Sequence, residues 1–229
     1  MSASAVSADN NGSPIRVLLI DDHAVVREGY RHLLGSTGRI AVVADADSGA
    51  AGYRRFLKGG IDVVVIDLSM PGVGGLEVLR RMKHREPGLH ALVFSMHEEP
   101  VIVERALAAG ATGYLSKRSD PRSLIDAVTS VAAGIRTVDP ALLPSVEPRG
   151  RSLPQQPPTL LRQLSDREFE VFRQLAEGRS VSQIAQHLSL SGKTVANYNT
   201  AIRGKLGIGN SAELARLAIA AGVVRLAAA

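Results

Sequence analysis

The stretch Val63-Val64-Val65-Ile66-Asp67 decides the fold: four β-branched apolar residues in succession, then a carboxylate. A strand with one wet face alternates apolar and polar positions. This run has no polar position, so both faces are covered and the strand belongs in a parallel sheet between helix layers. The same pattern recurs on either side. Val17-Leu18-Leu19-Ile20 ends at Asp21 and Asp22, Ala91-Leu92-Val93-Phe94 ends at Ser95, and Gly113-Tyr114-Leu115 leads to Lys117 one residue late. Strands are predicted over 16–20, 40–44, 62–66, 90–94 and 113–115, with apolar residues at helical spacing over 24–36, 49–59, 75–84, 99–109 and 121–133. Five strands, each followed by a helix and joined by short loops, give a doubly wound (βα)5 α/β domain. Such sheets bind ligands outside the carboxyl ends of their strands, the edge where these polar residues fall.

From Thr137 to about Leu160 the periodicity stops. Pro140, Pro144, Pro148, Pro154, Pro157 and Pro158 lie among Ser, Arg and Gln, which predicts an extended linker. The remainder is helical. Ser165 with Glu168 is a capping box opening a helix to about Glu177, with Phe169, Phe172 and Leu175 or Ala176 inward, and Gly178 ends it. Ser180 with Gln183 opens a second short helix that buries Ile184, Ala185 and Leu188. A turn at Ser189–Ser191 leads to a third helix from about Gly192 to Leu206. Gly207 and Gly209 break the chain before a fourth helix over Ala212–Ala221. This spacing predicts a small all-α helix-turn-helix domain of four helices.

Charge is unevenly shared: residues 1–150 hold 17 basic and 17 acidic groups, whereas residues 151–229 hold ten and five, so the net +5 lies in the second part. That imbalance favours a polyanionic partner there. With no cysteine, disulfide scaffolds, thiolate metal sites and Cys nucleophiles are excluded. The first fourteen residues are small and polar without the apolar run of a signal peptide, and no apolar run reaches the roughly 18 residues of a membrane span. A cytoplasmic protein without membrane attachment is expected.

Adjacent acids after a buried strand repel unless something compensates them. A hard divalent cation does so through carboxylate, carbonyl and water oxygens. Asp67, arriving from the central strand, brings a third carboxylate and can act as a nucleophile toward a phosphoryl donor, giving an aspartyl-phosphate. Ser95 can hydrogen-bond one phosphoryl oxygen and Lys117 pair with another. Each residue alone reads as a helix start, loop cap or surface group; it is their joint placement at strand ends that points to a site. Pro71, Gly72 and Gly75 shape the loop after Asp67. No Gly-rich loop has the spacing or Lys-Ser/Thr ending of a nucleotide cradle.

The runs Asp67-Leu68-Ser69-Met70-Pro71 with Gly75-Leu76, and Gly110-Ala111-Thr112-Gly113-Tyr114-Leu115-Ser116-Lys117, resemble the receiver domain of two-component response regulators over residues 14–137. Residues 160–225 resemble the LuxR/FixJ-type (NarL-like) DNA-binding domain. That likeness rests on Leu164-Ser165-Asp166-Arg167-Glu168, Glu177-Gly178, Ile184-Ala185, Leu188-Ser189-Leu190-Ser191, Lys193-Thr194-Val195 and Lys205-Leu206-Gly207. The resemblance implies a flavodoxin-like receiver with Asp67 as phospho-acceptor, and Mg2+ held by Asp21, Asp22, Asp67 and the backbone carbonyl of Ser69. It also implies Ser95 as switch hydroxyl, Tyr114 as switch aromatic turning inward on phosphorylation, and Lys117 as phosphate partner. The implied phosphodonors are a cognate sensor histidine kinase or small phosphorylated molecules, with slow autodephosphorylation and no other enzymatic activity. The implied domains are a tail at 1–13, a receiver at 14–137, a linker at 138–159 and a DNA-binding domain at 160–229. His23 is expected to tune the acids from the start of the first helix. His97, two residues after Ser95, is placed to affect phosphate lifetime through access of attacking water.

On the third helix Val195, Ile202 and Leu206 form the buried stripe, and Lys193, Ala196, Asn197, Thr200 and Arg203 face away. Such a helix can enter a major groove. Asn197 is the candidate for a base edge and Thr200 for a thymine methyl. Lys193, Arg203 and Lys205 are phosphate candidates, with Thr194 beside them at the helix start. Helix amino ends at Ser180 and Ser191 can also meet the DNA backbone. Two departures from the family stand out: Tyr198 where His is usual, and Ala196 where a basic residue is frequent. With few cations per monomer, tight binding to promoter DNA calls for a homodimer. Leu214, Leu217, Ala218 and Ala221 on the fourth helix are its candidate surface, or else complete the domain's own core. RNA polymerase is a further partner that the family implies. Three percent aromatic content disfavours base-stacking RNA modes.

The leading expectation is a transcriptional regulator gated by phosphorylation of Asp67. A phosphatase would need a general acid two residues after Asp67, where Ser69 stands. The alternative is a phosphorylation-independent DNA-binding regulator using its receiver as a dimer scaffold.

Overall fold

The structure, a computed structural model, describes residues 13–142 and 159–224. The expected tail up to residue 12, most of the Pro-rich linker (143–158) and residues 225–229 lie outside the described residues.

The first domain runs β1 (Ile15–Ile20), α1 (Ala24–Gly35), β2 (Ile40–Ala46), α2 (Gly49–Phe56), β3 (Val63–Ile66), α3 (Gly75–Arg85), β4 (His90–Ser95), α4 (Pro100–Ala108), β5 (Gly113–Ser116), α5 (Ser123–Ala132) and β6 (Thr137–Val138). All strand pairs are parallel and the order is β2-β1-β3-β4-β5-β6. The chain therefore winds outward in both directions from β1 and β3, the topology that opens a crevice at the carboxyl edge between these two strands.

Every residue of β3 is buried, as a strand without polar positions requires. Successive side chains point to opposite faces. Val17, Leu19, Val63, Val65, Leu92 and Phe94 pack with α1 and α5 through Leu34, Leu124, Val128 and Val131. Leu18, Ile20, Val64, Ile66 and Val93 pack on the other face with α2, α3 and α4 through Phe56, Leu79, Met82, Ile102 and Val103. Gly75 starts α3 against the loop after β3 so closely that a Cβ there would overlap the Asp67 carbonyl.

One strand more is present than the five expected. Thr137 and Val138 pair in parallel with Gly113 and Tyr114, where the sequence predicts the onset of a linker. Two residues are too few to carry a periodic signal; the free edge of β5 supplies the pairing. Asp139 secures it by accepting a hydrogen bond from the Ser116 amide at 3.1 Å and one from the Ser119 hydroxyl, and Leu142 is buried.

After a 3-10 turn (Thr159–Gln163), the second domain consists of α6 (Asp166–Ala176), α7 (Val181–His187), α8 (Gly192–Leu206) and α9 (Ser211–Ala220). Both capping boxes form: the Ser165 and Ser180 hydroxyls accept from the amides of Glu168 and Gln183, whose side chains accept from the capping residues' own amides. Ser189, in the turn before α8, holds φ +52° in the left-handed region. Gly207 ends α8 at φ +66°, a conformation that costs glycine least. The core is Phe169, Phe172, Ile184, Leu188, Val195, Ile202 and Leu206, as the pattern requires. On α6, however, Leu175 and Ala176 are only half-buried, while Arg173 and Gln174 are buried. Burial of Arg173 is sustained by ion pairs to Glu170 (2.7 Å) and Glu177, which periodicity of apolar residues cannot reveal.

The two domains are packed together. The apolar cluster over α2–α4 continues into the core of the second domain without interruption. Arg105 on α4 is the central tie: its guanidinium donates to the Leu161 and Leu164 carbonyls (3.1 and 2.9 Å) and to Asp166 (2.9 Å). It also lies 4.3 Å from the centre of the Phe169 ring. Burial lowers its pKa, against the raising effect of Asp166, yet a guanidinium retains its charge.

Candidate functional site

The carboxyl ends of β1, β3, β4 and β5 bring the expected residues to one place. Asp21 and Asp22 follow β1, Asp67 follows β3, Ser95 ends β4 and Lys117 follows β5 directly. The Lys117 ammonium lies 2.5 Å from Asp21 Oδ2 and 2.6 Å from Asp67 Oδ2, with all three side chains nearly inaccessible to water. Burial disfavours this ammonium, but the flanking carboxylates outweigh it and raise its pKa.

One carboxylate oxygen from each of Asp21, Asp22 and Asp67 and a ring nitrogen of His23 all lie within 4.8 Å of one another. Three carboxylates face one ammonium, leaving the pocket short of positive charge. Asp22 Oδ1 is shielded from water, and no hydrogen bond of adequate geometry reaches it, although His23 Nδ1 lies 3.0 Å away. An oxygen-rich, undercompensated pocket with an orphaned carboxylate oxygen suits a hard divalent cation. His23 stands at the amino end of α1, mostly exposed, its amide donating to Asp21 Oδ1 at 2.8 Å.

Ser69 is held beside Asp67: its amide donates to Asp67 Oδ1 at 3.2 Å, and its hydroxyl is 2.8 Å from His97 Nε2. Ser95 is fully buried, and its hydroxyl accepts from the His97 amide at 3.3 Å. Tyr114 lies inward and wholly buried, donating its hydroxyl to the His97 carbonyl at 2.7 Å; burial raises its pKa. The ring thus already holds the position expected to follow phosphorylation. His97 contacts all three elements, a hub that spacing alone does not disclose.

On α8, Lys193, Ala196, Asn197 and Thr200 are exposed along one face, opposite buried Val195, Ile202 and Leu206. Thr194 is half-buried, its hydroxyl 2.7 Å from that of Ser191. Arg203 and Lys205 are turned to internal partners. Arg203 donates to Asn199 (3.0 Å), the Gly209 carbonyl (2.8 Å) and Ser211 (3.1 Å), pinning α8 to α9. Lys205 donates to Glu168 at 2.6 Å, tying α8 to the capping box of α6. On α9, Leu214 and Ala218 are buried in the domain's own core and Leu217 and Ala221 are half-buried, while Ile219 is exposed.

Asp166 and Arg167 belong to a run that carries the family resemblance, but their pairing across the domain boundary has no signal in the sequence. Asp166 receives Arg80 Nε at 2.5 Å and Arg105 at 2.9 Å. Arg167 donates to the Gly72 carbonyl in the loop after β3 and to the Leu188 carbonyl at 2.9 Å. These partners are 86, 61 and 95 positions apart across the domain boundary. Among the described residues no helix is long and apolar enough to cross a membrane.

Comparison with known proteins agrees with this architecture. Residues 17–129 match the response regulator receiver domain, and residues 162–218 match the bacterial regulatory proteins of the luxR family. The chain is 39% identical over 219 residues to the transcriptional activator protein ExaE of Pseudomonas putida, covering 93% of this chain and 99% of ExaE. It is 40% identical over 202 residues to the transcriptional regulatory protein UhpA of Escherichia coli K12, covering 88% and 96%. Among solved structures, RcsB of Salmonella enterica serovar Typhimurium, bound to promoter rprA with the phosphomimetic BeF3-, superposes with a TM-score of 0.60 at 27% identity, covering 89% of this chain and 98% of RcsB. A LuxR-family two-component response regulator from Aurantimonas sp. SI85-9A1 gives 0.57 at 38% identity, covering 58% of this chain and 96% of that one. A parallel-sheet receiver with an acidic carboxyl edge, joined to a helix-turn-helix module, and relatives of this kind along nearly the whole chain place the protein in the LuxR family of two-component response regulators, DNA-binding regulators of transcription.

Proposed function

We propose that the protein accepts a phosphoryl group on Asp67 from a sensor histidine kinase or a small phosphodonor, and in consequence changes how its DNA-binding domain engages promoter DNA. The supporting observation is the Lys117 ammonium held 2.5 Å from Asp21 and 2.6 Å from Asp67 at the carboxyl edge of the sheet. An Asp67 carboxylate oxygen attacks phosphorus as the bond to the donor's leaving group breaks, forming the acyl phosphate. Attack by water on that phosphorus later breaks the bond to the Asp67 oxygen, releasing inorganic phosphate and restoring the carboxylate. Lys117 moves its charge to a phosphoryl oxygen, and the Ser95 hydroxyl donates to another. Mg2+ held by Asp21, Asp22, Asp67 and the Ser69 carbonyl would offset charge on the transferring oxygens. Because Tyr114 is already inside and Lys117 already lies against Asp67, the phosphoryl group acts by drawing Ser95 toward Asp67 rather than by bringing the ring in.

The working organisation is a tail at 1–13, a receiver at 14–137, a linker at 138–159 and a DNA-binding domain at 160–229, in the cytoplasm. Lys193, Ala196, Asn197 and Thr200 form the reading face, with Thr194, Arg203 and Lys205 at its ends; the last two reach phosphates only by leaving their internal partners. A homodimer on adjacent half-sites, using the half-buried Leu217 and Ala221, supplies the remaining affinity, while Leu214 and Ala218 are committed to the domain's own core and take no part in it. RNA polymerase is the partner at the promoter.

One observation favours a second reading, a constitutive DNA binder: the reading face is exposed with Asp67 unmodified. Titrating promoter DNA with and without a small phosphodonor and Mg2+, for the protein and for Asp67→Asn, separates the two. Tighter binding only for phosphorylated protein supports the first; identical curves in every state support the second.

A further inference from the structure

Three points of the receiver converge on two consecutive residues of the DNA-binding domain. Arg80 comes from α3, the helix that follows the Asp67 loop, and Arg105 from α4, the helix that follows Ser95. Both end on the single carboxylate of Asp166, at 2.5 and 2.9 Å. The next residue, Arg167, holds the Gly72 carbonyl of the acceptor loop with one guanidinium nitrogen and the Leu188 carbonyl with another. Leu188 closes α7 immediately before the turn that launches α8.

We propose that Asp166 and Arg167 are the positioning residues through which the DNA-binding domain senses the receiver, Asp166 by measuring the offset between α3 and α4. This rests on the reading of Asp67 as phospho-acceptor. A carboxylate shared by two guanidinium groups from different helices holds both only at one relative placement. A shift of α4 by the movement of Ser95, or of the acceptor loop by the phosphoryl group, lengthens at least one of these contacts. The Asp166 side chain is only 10% exposed and Arg105 12%, so a lost partner leaves charge away from water, and the interface favours either the whole set or separation. Arg80 is half exposed and contributes placement more than energy. The reading face is already exposed in the packed form. The latch therefore controls how two DNA-binding domains orient toward each other, not access to bases.

The test uses the full-length protein and the variants Arg105→Ala, Asp166→Asn and their combination. Small-angle scattering of unphosphorylated protein reads domain separation, and promoter titration reads coupling. Each single variant should increase the radius of gyration, and should tighten unphosphorylated binding at least about fivefold, the lower end of usual coupling between sites. The phosphodonor response should shrink to match, and the double variant should add nothing beyond Arg105→Ala. Arg105 lies outside the DNA-binding domain, so its effect cannot arise from damage to the recognition helix. Arg105→Ala with unchanged scattering and an undiminished phosphodonor response overturns the proposal. If the unmodified protein itself shows no phosphodonor response while Arg105→Ala still opens the domains, the Asp67 reading fails and the latch stands.

Discussion

The acidic pocket and the exposed face of α8 spend their polar side chains in opposite ways. In the pocket, the buried side chains of Asp21, Asp67 and Lys117 are already committed to one another and that of Ser95 to the His97 amide, so a small change in charge is felt across the group. On α8, Lys193, Ala196, Asn197 and Thr200 face water, Thr200 donating its hydroxyl only to the Ala196 carbonyl of the same helix, whereas Arg203 and Lys205 brace the domain. A switch needs preloaded contacts, because only a strained balance can be tipped. A reading surface needs uncommitted groups, because each internal bond must be broken before DNA can replace it.

The sharpest way to break this contrast is Asp67→Asn. Removing the nucleophile should abolish phosphorylation altogether, measured as loss of the acyl phosphate by mass spectrometry after phosphodonor treatment, while promoter binding by unmodified protein persists. Retained labelling would place the acceptor elsewhere. Next in size is Lys117→Ala, which strands two buried carboxylates. Loss of one member of a buried pair costs about 3–5 kcal/mol. Urea unfolding should show that loss in the receiver, with Mg2+ recovering part of it. A change below about 1 kcal/mol would mean the ammonium is not what holds the acids together.

On the exposed side the effects are smaller and separable. Asn197→Ala should cost about 1–3 kcal/mol at its own base position and relax discrimination there, read by titrating single-base variants of the site. Lys193→Ala should weaken all sequences alike and lower the salt slope by about one. If Arg203→Ala mimics Lys193→Ala without lowering the melting temperature, its internal bonds are not its main role. The mildest effect concerns pH. Burial alone would raise the pKa values of Glu168 and Glu170. Hydrogen bonds from Lys205 and Ser165, and the charge of Arg173, instead hold them below the ordinary 4.5. Depressed carboxylates stabilise above their unfolded value and cease to as pH falls through the folded one. Circular-dichroism melts between pH 5 and 2 (roughly, spanning that window) should show the α6 domain weakening in acid, and Glu168→Gln should blunt the dependence.

Much of this was legible beforehand for identifiable reasons. The run Val63–Ile66 could only be a strand covered on both faces, and strands so covered in this winding order place their terminal residues on one edge. The three acids, Ser95 and Lys117 therefore had to meet. The capping boxes at Ser165 and Ser180 fixed two helix starts because their bonds span only three residues. By contrast β6 is two residues long and exists only because β5 has an unpaired edge. The burial of Arg173 depends on Glu170 and Glu177 lying along one helix face, and that of Arg105 on carbonyls of another domain.

From its own residues the chain determines two domains, the winding of one, the helices of the other, and which side chains crowd the sheet edge. All of these follow from local periodicity and from the twofold alternation of strands. Tertiary structure alone decides that Tyr114 is inside, that Arg203 and Lys205 are braces, and that Asp166 joins α3 to α4. Those outcomes depend on contacts between groups far apart in the chain, whose meeting is set by how whole faces pack and leaves no pattern in the local sequence.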